Sequence, residues 1–440
     1  MTDATATCNG CNGCNGQTST PKTTPGLPAA GGPLDASRLT YHFTKVPRAI
    51  PAPNSPELWA QSEATDHMIL ARYNVAQGGW LAPQLVPYGP LSLAPTAATL
   101  HYAMECFEGL KLYRGVDGRL RLFRPDLNAR RMRRSAARVS LPDFPPEQLV
   151  RLIDALAAID APRWLPKESA GTYLYVRPTM IATQASLAVK QASEALLYII
   201  LVCFPDFDQP SGSLGPPSRD AEKQSNARRK DIGLRLVASN RDTIRAWPGG
   251  FGNCKLGANY GPSIVTSAEA ASRGFDQILW LFGNEGFITE AGACNFFTVI
   301  QPKHSSAIKA QLLTAPLDDG VVLPGVTRAS VLDIVNELFA NELEVVERNY
   351  SIHELIDAVN DGRMVECFVC GTAFFITPVA EISYVGQSIN VLPPKRRSPS
   401  CSLVVRLRER LWNIMYGAIQ HDWSHCVDEA GTHVHENQFQ

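Results

Sequence analysis

Short β-rich runs and helical stretches alternate in the first half of the chain. Runs such as YLYVRPTMIA (173–182) and ALLYIILVCF (195–204) are rich in β-branched and aromatic residues. Residues 127–139 and 146–160 instead repeat their apolar positions at helical spacing. The pattern predicts a small α+β domain over residues 38–207.

The second half of the chain has a similar mixture. Strand-like runs such as QILWLFG (277–283) and CNFFTVI (294–300) alternate with a strong helical pattern at 326–338. An amphipathic helix is predicted near the end, at 403–419. We therefore expect a larger α/β domain over residues 233–440 and a two-domain chain of the α+β or α/β class.

Two segments have too few apolar side chains to fold by themselves. Residues 1–37 are Cys/Asn/Gly/Thr/Pro-rich and are predicted to be a disordered tail. Residues 208–232 combine Pro, Gly, Ser and charge, which is typical of an interdomain linker or inserted loop. Cys8, Cys11 and Cys14 lack a fourth ligand at metal-binding spacing, so we interpret them as a short repeat.

Composition excludes several classes of protein. The 440 residues carry a formal net charge of −1, so no basic excess favours nucleic acid as a partner. No apolar run reaches the roughly 18 residues of a membrane span. The 11 cysteines are scattered, and the first residues show neither an apolar secretion signal nor the arginines of a mitochondrial presequence. We expect a cytoplasmic protein, with the mitochondrion as the alternative.

The densest chemical signal is the segment RAWPGGFGNCKLGANYGP, residues 245–262, with five glycines, one lysine and one tyrosine. Glycine lets a ligand lie against the backbone, so Lys255 in this setting is able to point into a confined site. Desolvation there would lower the pKa of the amine and make it a nucleophile toward a carbonyl. The alternative is a solvated surface lysine on a loop.

Several further segments occur in the same order as in a known enzyme family. Together with LHYAMECFEGLKLYRG (100–115), LFRPDLNARRMRRSA (122–136), TEAGACNFF (289–297), LPGVTRAS (323–330) and CGTAFF (370–375), the glycine-rich segment resembles the branched-chain amino acid aminotransferases. The resemblance runs from about residue 65 to residue 427. These are pyridoxal-5′-phosphate (PLP) enzymes of fold type IV, and the resemblance implies two domains with the active site at their interface.

The resemblance implies roles for the residues that would hold PLP. Lys255 would bind the cofactor covalently and then move the proton of the reaction, and Tyr260 would donate a hydrogen bond to the ring oxygen. Glu290 would keep the ring nitrogen protonated. The phosphate would be bound by Arg131, the amides of Val326 and Thr327, and the hydroxyl of Thr372. Among neighbouring arginines, only the alignment to the family selects Arg131.

The resemblance also implies how substrates bind. Tyr102, Thr372 and Ala373 would hold the α-carboxylate. The predicted side-chain pocket comprises Phe107, Tyr175, Ala293, and Leu187 and Val189 from a second subunit, which implies a homodimer. Arg177 would bind a carboxylate of the substrate or partner, or orient its neighbours. The expected substrates are a branched-chain or related apolar L-amino acid and 2-oxoglutarate.

The sequence departs from the family near the side-chain pocket. Ala60 and Ala64 stand where phenylalanines are usual, and Ala293-Cys294 replaces a threonine-containing run. Because a methylene or two shifts selectivity by roughly 1–3 kcal/mol, we expect a changed or broadened substrate range.

Two further observations narrow the predicted chemistry. Phe374 and Thr377 replace two cysteines that some animal members carry, which excludes a regulatory thiol pair there. The late histidines are interpreted as surface residues rather than metal ligands; they are His421, His425, His433 and His435.

Three alternatives stay open at the level of sequence. The fold also includes D-amino acid aminotransferases and aminodeoxychorismate lyases, and the segments FEGLKLYRG (107–115) and GNCKLGANYGP (252–262) disfavour both. An aminotransferase of a specialised pathway would have the same cofactor residues and a different side-chain pocket. A non-catalytic PLP-binding scaffold is disfavoured because Lys255, Tyr260, Glu290 and Arg131 are all present.

Overall fold

The computed structural model describes residues 31–52, 55–169, 171–204, 233–303, 309–373, 375–392 and 402–429. The predicted linker at 208–232 lies outside these residues, as do Phe374, His433 and His435. Within the described part of the chain, the strands form two sheets, one for each predicted domain.

The first sheet has ten strands in the order β1-β4-β2-β9-β8-β6-β7-β19, with β3 paired to β2 and β5 paired to β8. Its strands are β1 (Thr40–Tyr41), β2 (Ala64–Asn74), β3 (Gly79–Trp80), β4 (Gln84–Pro87), β5 (Glu105–Phe107), β6 (Leu110–Arg114), β7 (Leu120–Phe123), β8 (Tyr173–Ala182), β9 (Glu194–Cys203) and β19 (Ser424–Val427). The helices of this half are α1 (Pro56–Trp59), α2 (Ala98–Tyr102), α3 (Pro125–Arg138) and α4 (Pro146–Trp164).

Side chains alternate along a strand, so the first sheet has two faces with different surroundings. Leu112, Val176 and Leu197 point to the face that α3 and α4 cover, and they belong to one buried apolar cluster. The alternate residues, such as Tyr175 and Arg177, point to the opposite face. That second face is left free of these helices and carries several of the predicted site residues.

The second sheet contains nine strands in the order β12-β11-β10-β17-β16-β13-β14-β15, with β18 paired to β17. Its strands are β10 (Leu234–Ala238), β11 (Gln277–Phe282), β12 (Phe287–Ala291), β13 (Cys294–Ile300), β14 (Ala310–Thr314), β15 (Leu343–Glu347), β16 (Met364–Gly371), β17 (Phe375–Tyr384) and β18 (Gln387–Asn390). The helices are α5 (Gly261–Ser272), α6 (Val326–Leu338), α7 (Ile352–Asn360) and α8 (Leu403–Met415). An additional β12–β13 pairing closes six strands into a ring.

An apolar cluster joins the two domains. Tyr113 and Phe123 of the first sheet pack in it together with Phe297, Val331 and Leu407 of the second half of the chain. Helix α8 contacts both β7 and β17. The continuous core fixes how the two sheets are placed, and the seam between them is where a site can form.

Helix α6 has the predicted bounds, and α3, α4 and α8 lie within a few residues of theirs. Helix α3 begins at Pro125, whose fixed φ suits the first helical position, and the side chain of Ser402 caps α8 by accepting a hydrogen bond from the Val405 amide. The local signals therefore predict the helices well.

Two predicted domain boundaries differ from the structure. Residues 31–37 are not part of a disordered tail, because Leu34 is buried in the first core and Gly32 pairs with Trp80. The C-terminal end does not stay in the second domain: β19 pairs antiparallel with β7 and becomes an edge strand of the first sheet. Such long-range pairing leaves no mark in local periodicity.

The returning strand is also held by a side-chain pair. Nε2 of His425 lies 3.0 Å from Oδ2 of Asp154 in α4, and the pair is partly exposed. The hydrogen bond that His425 donates to the Asp154 carboxylate raises the pKa of His425 above its ordinary value. A raised imidazole pKa stabilises the fold below the unfolded pKa, and the stabilisation is lost as pH rises through the folded pKa.

We expect His425→Gln to lower the free energy of unfolding at about pH 6 by up to about 1 kcal/mol and to have no effect at about pH 9. Urea unfolding at the two pH values measures the difference. Asp154→Asn removes the other partner and serves as the matched control, with the same pH dependence expected. An equal loss at both pH values would contradict the assignment.

Candidate active site

The glycine-rich segment is anchored to the first domain through the backbone of Lys255. The Lys255 amide N–H donates to Oγ of Ser135 in α3 at 2.8 Å, and the Lys255 carbonyl accepts from the amide of Phe107 in β5 at 3.1 Å. A 3-10 turn, Gly257–Asn259, follows and leads into α5. A Cβ at Gly257 would overlap the carboxylate of Glu105, so a larger residue here would have to displace the end of that side chain.

The Lys255 side chain is half-buried and faces two aromatic rings. Its Nζ lies 3.2 Å from the Tyr260 hydroxyl and 4.8 Å from the centroid of the Phe107 ring. The neighbouring thiol of Cys254 has a pKa raised by burial and so stays protonated. Lys255 is therefore not a solvated surface lysine.

Glu290 is the buried carboxylate of the same region, with 3% of its surface exposed. Glu290 lies near the end of β12, and the two-residue turn that leads into β13 has Gly292 in the left-handed region at φ 56°. The Glu290 side chain contacts the guanidinium of Arg245. Burial raises the pKa of Glu290, while the charges of Arg245 and Lys255 and the Leu323 amide oppose that effect.

Lys255 and Glu290 line one cavity of about 140 Å³. Its walls are formed by Arg245, Gly252, Cys254, Lys255, Asn259, Tyr260, Ser263, Ser267, Gln277, Trp280, Glu290, Gly292, Ala293 and Leu323. The cavity combines an amine, a phenol and a carboxylate. Nε of Arg245 is buried and has no hydrogen-bond partner among the described residues.

A second, smaller cavity of about 20 Å³ lies at the start of α6. Val326 and Thr327, the first two residues of that helix, line it together with Thr372, and Gly325 provides no side-chain cap. The free amides of a helix N-terminus attract anions. The structure thus brings together three of the four residues predicted to bind phosphate.

The fourth, Arg131, is buried beside the same turn. Its Nε and Nη2 donate to the two carboxylate oxygens of Glu108 at 2.7 and 2.8 Å, and Nη1 donates to the Pro324 carbonyl at 3.0 Å. Burial opposes ionisation of Glu108, but the charge and hydrogen bonds of Arg131 outweigh it and lower the pKa of the carboxyl. Two N–H groups of the guanidinium remain for another acceptor.

Residues predicted to contact substrate occupy the free face of the first sheet. The Phe107 and Tyr260 ring centroids are 5.4 Å apart. The Arg177 guanidinium lies 4.8 Å from the Phe107 ring centroid and 5.1 Å from that of Tyr175. Nε of Arg177 is buried and lacks a hydrogen-bond partner in the described part of the chain. Arg177 is thus held on the wall next to Lys255.

Tyr102, Leu187 and Val189 form a separate group. The Tyr102 hydroxyl donates to the Leu187 carbonyl. Leu187 and Val189 have 57% and 81% of their surfaces exposed. None of the three is among the described residues that line the Lys255 cavity. Within one chain, the structure does not bring them to the lysine.

The remaining predicted positions are placed as follows. Ala293 lines the Lys255 cavity, and Ala373 is exposed in the turn after Thr372. Of the two alanines that replace aromatic residues, Ala64 is buried at the start of β2 and Ala60 is exposed after α1. Neither lines the Lys255 cavity among the described residues.

Arg245 and Glu108 were not predicted to belong to the site. Both stand inside segments that the sequence singles out, the glycine-rich segment and FEGLKLYRG. Each becomes important only through a partner that is distant in sequence. A carboxylate or guanidinium inside an otherwise apolar or glycine-rich motif was the available signal.

The described residues contain no group of three or more His, Cys, Asp or Glu side chains that would bind a metal. In the part of the chain that was searched, no helix combines the length and apolarity that a membrane span needs.

Comparison with known proteins gives a consistent result. The model of the class IV amino-transferase family matches residues 105–382. The chain is 41% identical to the cytosolic branched-chain-amino-acid aminotransferase of Saccharomyces cerevisiae over 405 residues, covering 90% of this chain and 98% of that protein. It is 39% identical to the mitochondrial enzyme of Mus musculus, covering 88% and 91%. The relatives thus include a cytosolic and a mitochondrial enzyme.

A solved structure shows the same fold. The branched-chain amino acid aminotransferase of Thermobaculum terrenum in its PLP form superposes with a TM-score of 0.58 at 20% sequence identity, covering 83% of this chain and 99% of that one. The predicted two-domain fold class is confirmed.

Glu108→Ala would leave the Arg131 guanidinium buried without its carboxylate, and we expect it to lower the free energy of unfolding by about 3–5 kcal/mol. Urea denaturation measures the loss. Asp143→Ala breaks an exposed bidentate pair with Arg133, which lies on the same helix as Arg131, and should cost much less than Glu108→Ala. Similar losses in the free energy of unfolding in the two variants would contradict the larger contribution expected of the buried Glu108–Arg131 pair.

Proposed function

The chain belongs to the class IV aminotransferases and is related to the branched-chain enzymes among them, and we propose that it transaminates a branched-chain or related apolar L-amino acid with 2-oxoglutarate. The products would be a 2-oxo acid and L-glutamate, and the cofactor is PLP. The observation that carries the proposal is the cavity shared by the Lys255 amine, the Tyr260 phenol and the Glu290 carboxylate.

The residues present fit PLP by their chemistry. An amine able to bind an aldehyde lies in the same cavity as a carboxylate that suits a protonated ring nitrogen. Amides at the start of α6, the Thr372 hydroxyl and the nearby Arg131 suit a dianionic phosphate. When bound, PLP supplies an electron sink that stabilises negative charge at the substrate α-carbon.

Lys255 would bind the cofactor and act as the catalytic base. Its backbone is fixed to Ser135 and Phe107, so the flexible part is the side chain alone. The Nζ of Lys255 would take the proton from the substrate α-carbon and hold it for return during the same turnover. The Tyr260 hydroxyl, 3.2 Å away, would orient the amine.

Glu290 would hold the proton on the ring nitrogen, and Arg245 would help to keep Glu290 ionised. A carboxylate with 3% exposure tends to become neutral, because desolvation disfavours its charged form. The adjacent guanidinium opposes this. Arg245 also donates to the Val321 carbonyl at 3.0 Å, which fixes its position.

Substrate selection would use the free face of the first sheet. Phe107 and Tyr175 offer apolar surface, and Arg177 between them offers a guanidinium for the side-chain carboxylate of glutamate or 2-oxoglutarate. Tyr102, Thr372 and Ala373 would hold the α-carboxylate. Ala293, which lines the Lys255 cavity, favours a broader donor range, including that of a specialised pathway.

We propose a homodimer in which the exposed group of Tyr102, Leu187 and Val189 completes the site of the second subunit. Helix α5, which follows the Lys255 segment, is exposed at Ile264 (66%) and Val265 (67%) and buries little else than Ala270. Apolar side chains exposed on both surfaces favour a partner that covers them. A second copy of this chain is the partner whose site lacks Tyr102.

Purified protein supplied with PLP should convert L-leucine, L-isoleucine or L-valine with 2-oxoglutarate and leave D-alanine unreacted. Lys255→Ala should reduce the rate at least about a thousandfold, because it removes both the attachment point and the base. Borohydride treatment followed by mass spectrometry should place the cofactor on Lys255. Lys303→Ala, which changes an exposed lysine, is the control. Activity on D-amino donors alone would favour another fold type IV enzyme. Absence of transamination in protein that has bound the cofactor would favour a non-catalytic scaffold.

Val189→Asp should weaken the dimer, because it would bury a carboxylate against the partner. We expect sedimentation to show more monomer and the transamination rate to fall in parallel. Val385→Asp alters a valine that is 83% exposed in the β17–β18 turn, outside the two groups of residues proposed to meet, and should change neither property. A monomeric wild-type protein with full activity would refute the shared site.

A further inference from the structure

Asn295 is a buried polar residue that no part of the reaction above uses. It lies in β13 directly across from Glu290 in β12, because the two-residue turn places the two residues opposite each other in the antiparallel register. Side chains of directly opposite residues point to the same face of a sheet. Asn295 has 5% of its surface exposed.

The Asn295 side chain contacts two parts of the cofactor site at once. Nδ2 donates one hydrogen bond to Oε1 of Glu290 at 3.3 Å and the other to the Leu323 carbonyl at 2.9 Å. Its Oδ1 occupies the space where a Cβ at Gly325 would lie. Asn295 therefore packs between the Glu290 carboxylate and the turn that begins α6.

The turn is tied to Glu290 by other groups as well. The Leu323 amide is hydrogen-bonded to the Glu290 carboxyl, and Arg245 links Glu290 to the Val321 carbonyl. Asn295 differs from these links because it also fills the space beside Gly325, the last residue before the helix. Asn295 thus fixes the position of the α6 N-terminus relative to Glu290 through two contacts: the hydrogen bond to the Leu323 carbonyl and the packing of Oδ1 beside Gly325.

We propose that Asn295 is a positioning residue that sets the separation between the carboxylate for the ring nitrogen and the amides for the phosphate. The inference rests on the proposed function, in which PLP occupies both places. PLP is a compact ligand whose ring nitrogen and phosphate have a nearly fixed separation. Both ends bind well together only if the protein holds Glu290 and the α6 N-terminus at the matching distance.

The test compares how strongly apoprotein binds PLP and pyridoxal, which lacks the phosphate. The dissociation constant of pyridoxal divided by that of PLP measures how much the phosphate contributes when the ring is also bound. In Asn295→Ser the spacer is shortened, and we expect this ratio to fall about tenfold, as for the loss of one buried hydrogen bond to a charged group. A merely structural role would weaken both ligands equally and leave the ratio unchanged.

Thr298→Ala is the matched control. Thr298 is fully buried on the same strand, and its hydroxyl forms a hydrogen bond with the Tyr350 hydroxyl at 3.0 Å. Neither residue belongs to the proposed cofactor site. It should lower the melting temperature without changing the ratio. An unchanged ratio in Asn295→Ser, or an equal fall in Thr298→Ala, would overturn the proposal.

Two further variants decide the matter if Asn295→Ser does not fold. Asn295→Asp has the same size and loses both donated hydrogen bonds, and Gly325→Ala presses on Oδ1 from the other side. Each should lower the ratio, and an unchanged ratio in the variant that folds counts against the proposal. If wild-type protein binds no PLP, the proposed function itself fails; if wild-type protein binds PLP and transaminates, a negative result concerns Asn295 alone.

Discussion

The backbone hydrogen bonds on both sides of Lys255 are the constraint on which the site depends. Its N–H is bound by Ser135 and its carbonyl by Phe107, so a residue of the second half of the chain is fixed to two elements of the first. The lysine amine is then placed by the side chain only. Because these bonds cross between domains, the active site exists only when both domains are folded and packed.

The same seam contains two buried carboxylates, each paired with an arginine. Glu108 pairs with Arg131, and Glu290 pairs with Arg245. Desolvation makes an unpaired buried carboxylate costly, and a paired one stays charged at little net gain in stability. The two pairs therefore add little net stability, and they place two guanidinium–carboxylate contacts at the seam between the domains.

The sequence predicted the parts of this protein that local signals specify. Helix α6 has the predicted bounds because its apolar period and its Pro-Gly start are both local, and the lysine segment was found by its glycines. The roles of Arg245 and Asn295 could not be predicted, since they arise from contacts between strands and turns distant in sequence. The place of Tyr102 next to Leu187, away from the lysine cavity, likewise depends on how the chain folds back on itself.

Strand β19 has a consequence for how the protein is made. It is among the last residues that the structure describes, yet it forms an edge of the sheet that the first two hundred residues build. During synthesis on the ribosome, the β7 edge stays unpaired until residues 424–427 have emerged. An unpaired edge is open to wrong partners, so the nascent chain is exposed to aggregation during the interval between synthesis of β7 and synthesis of β19.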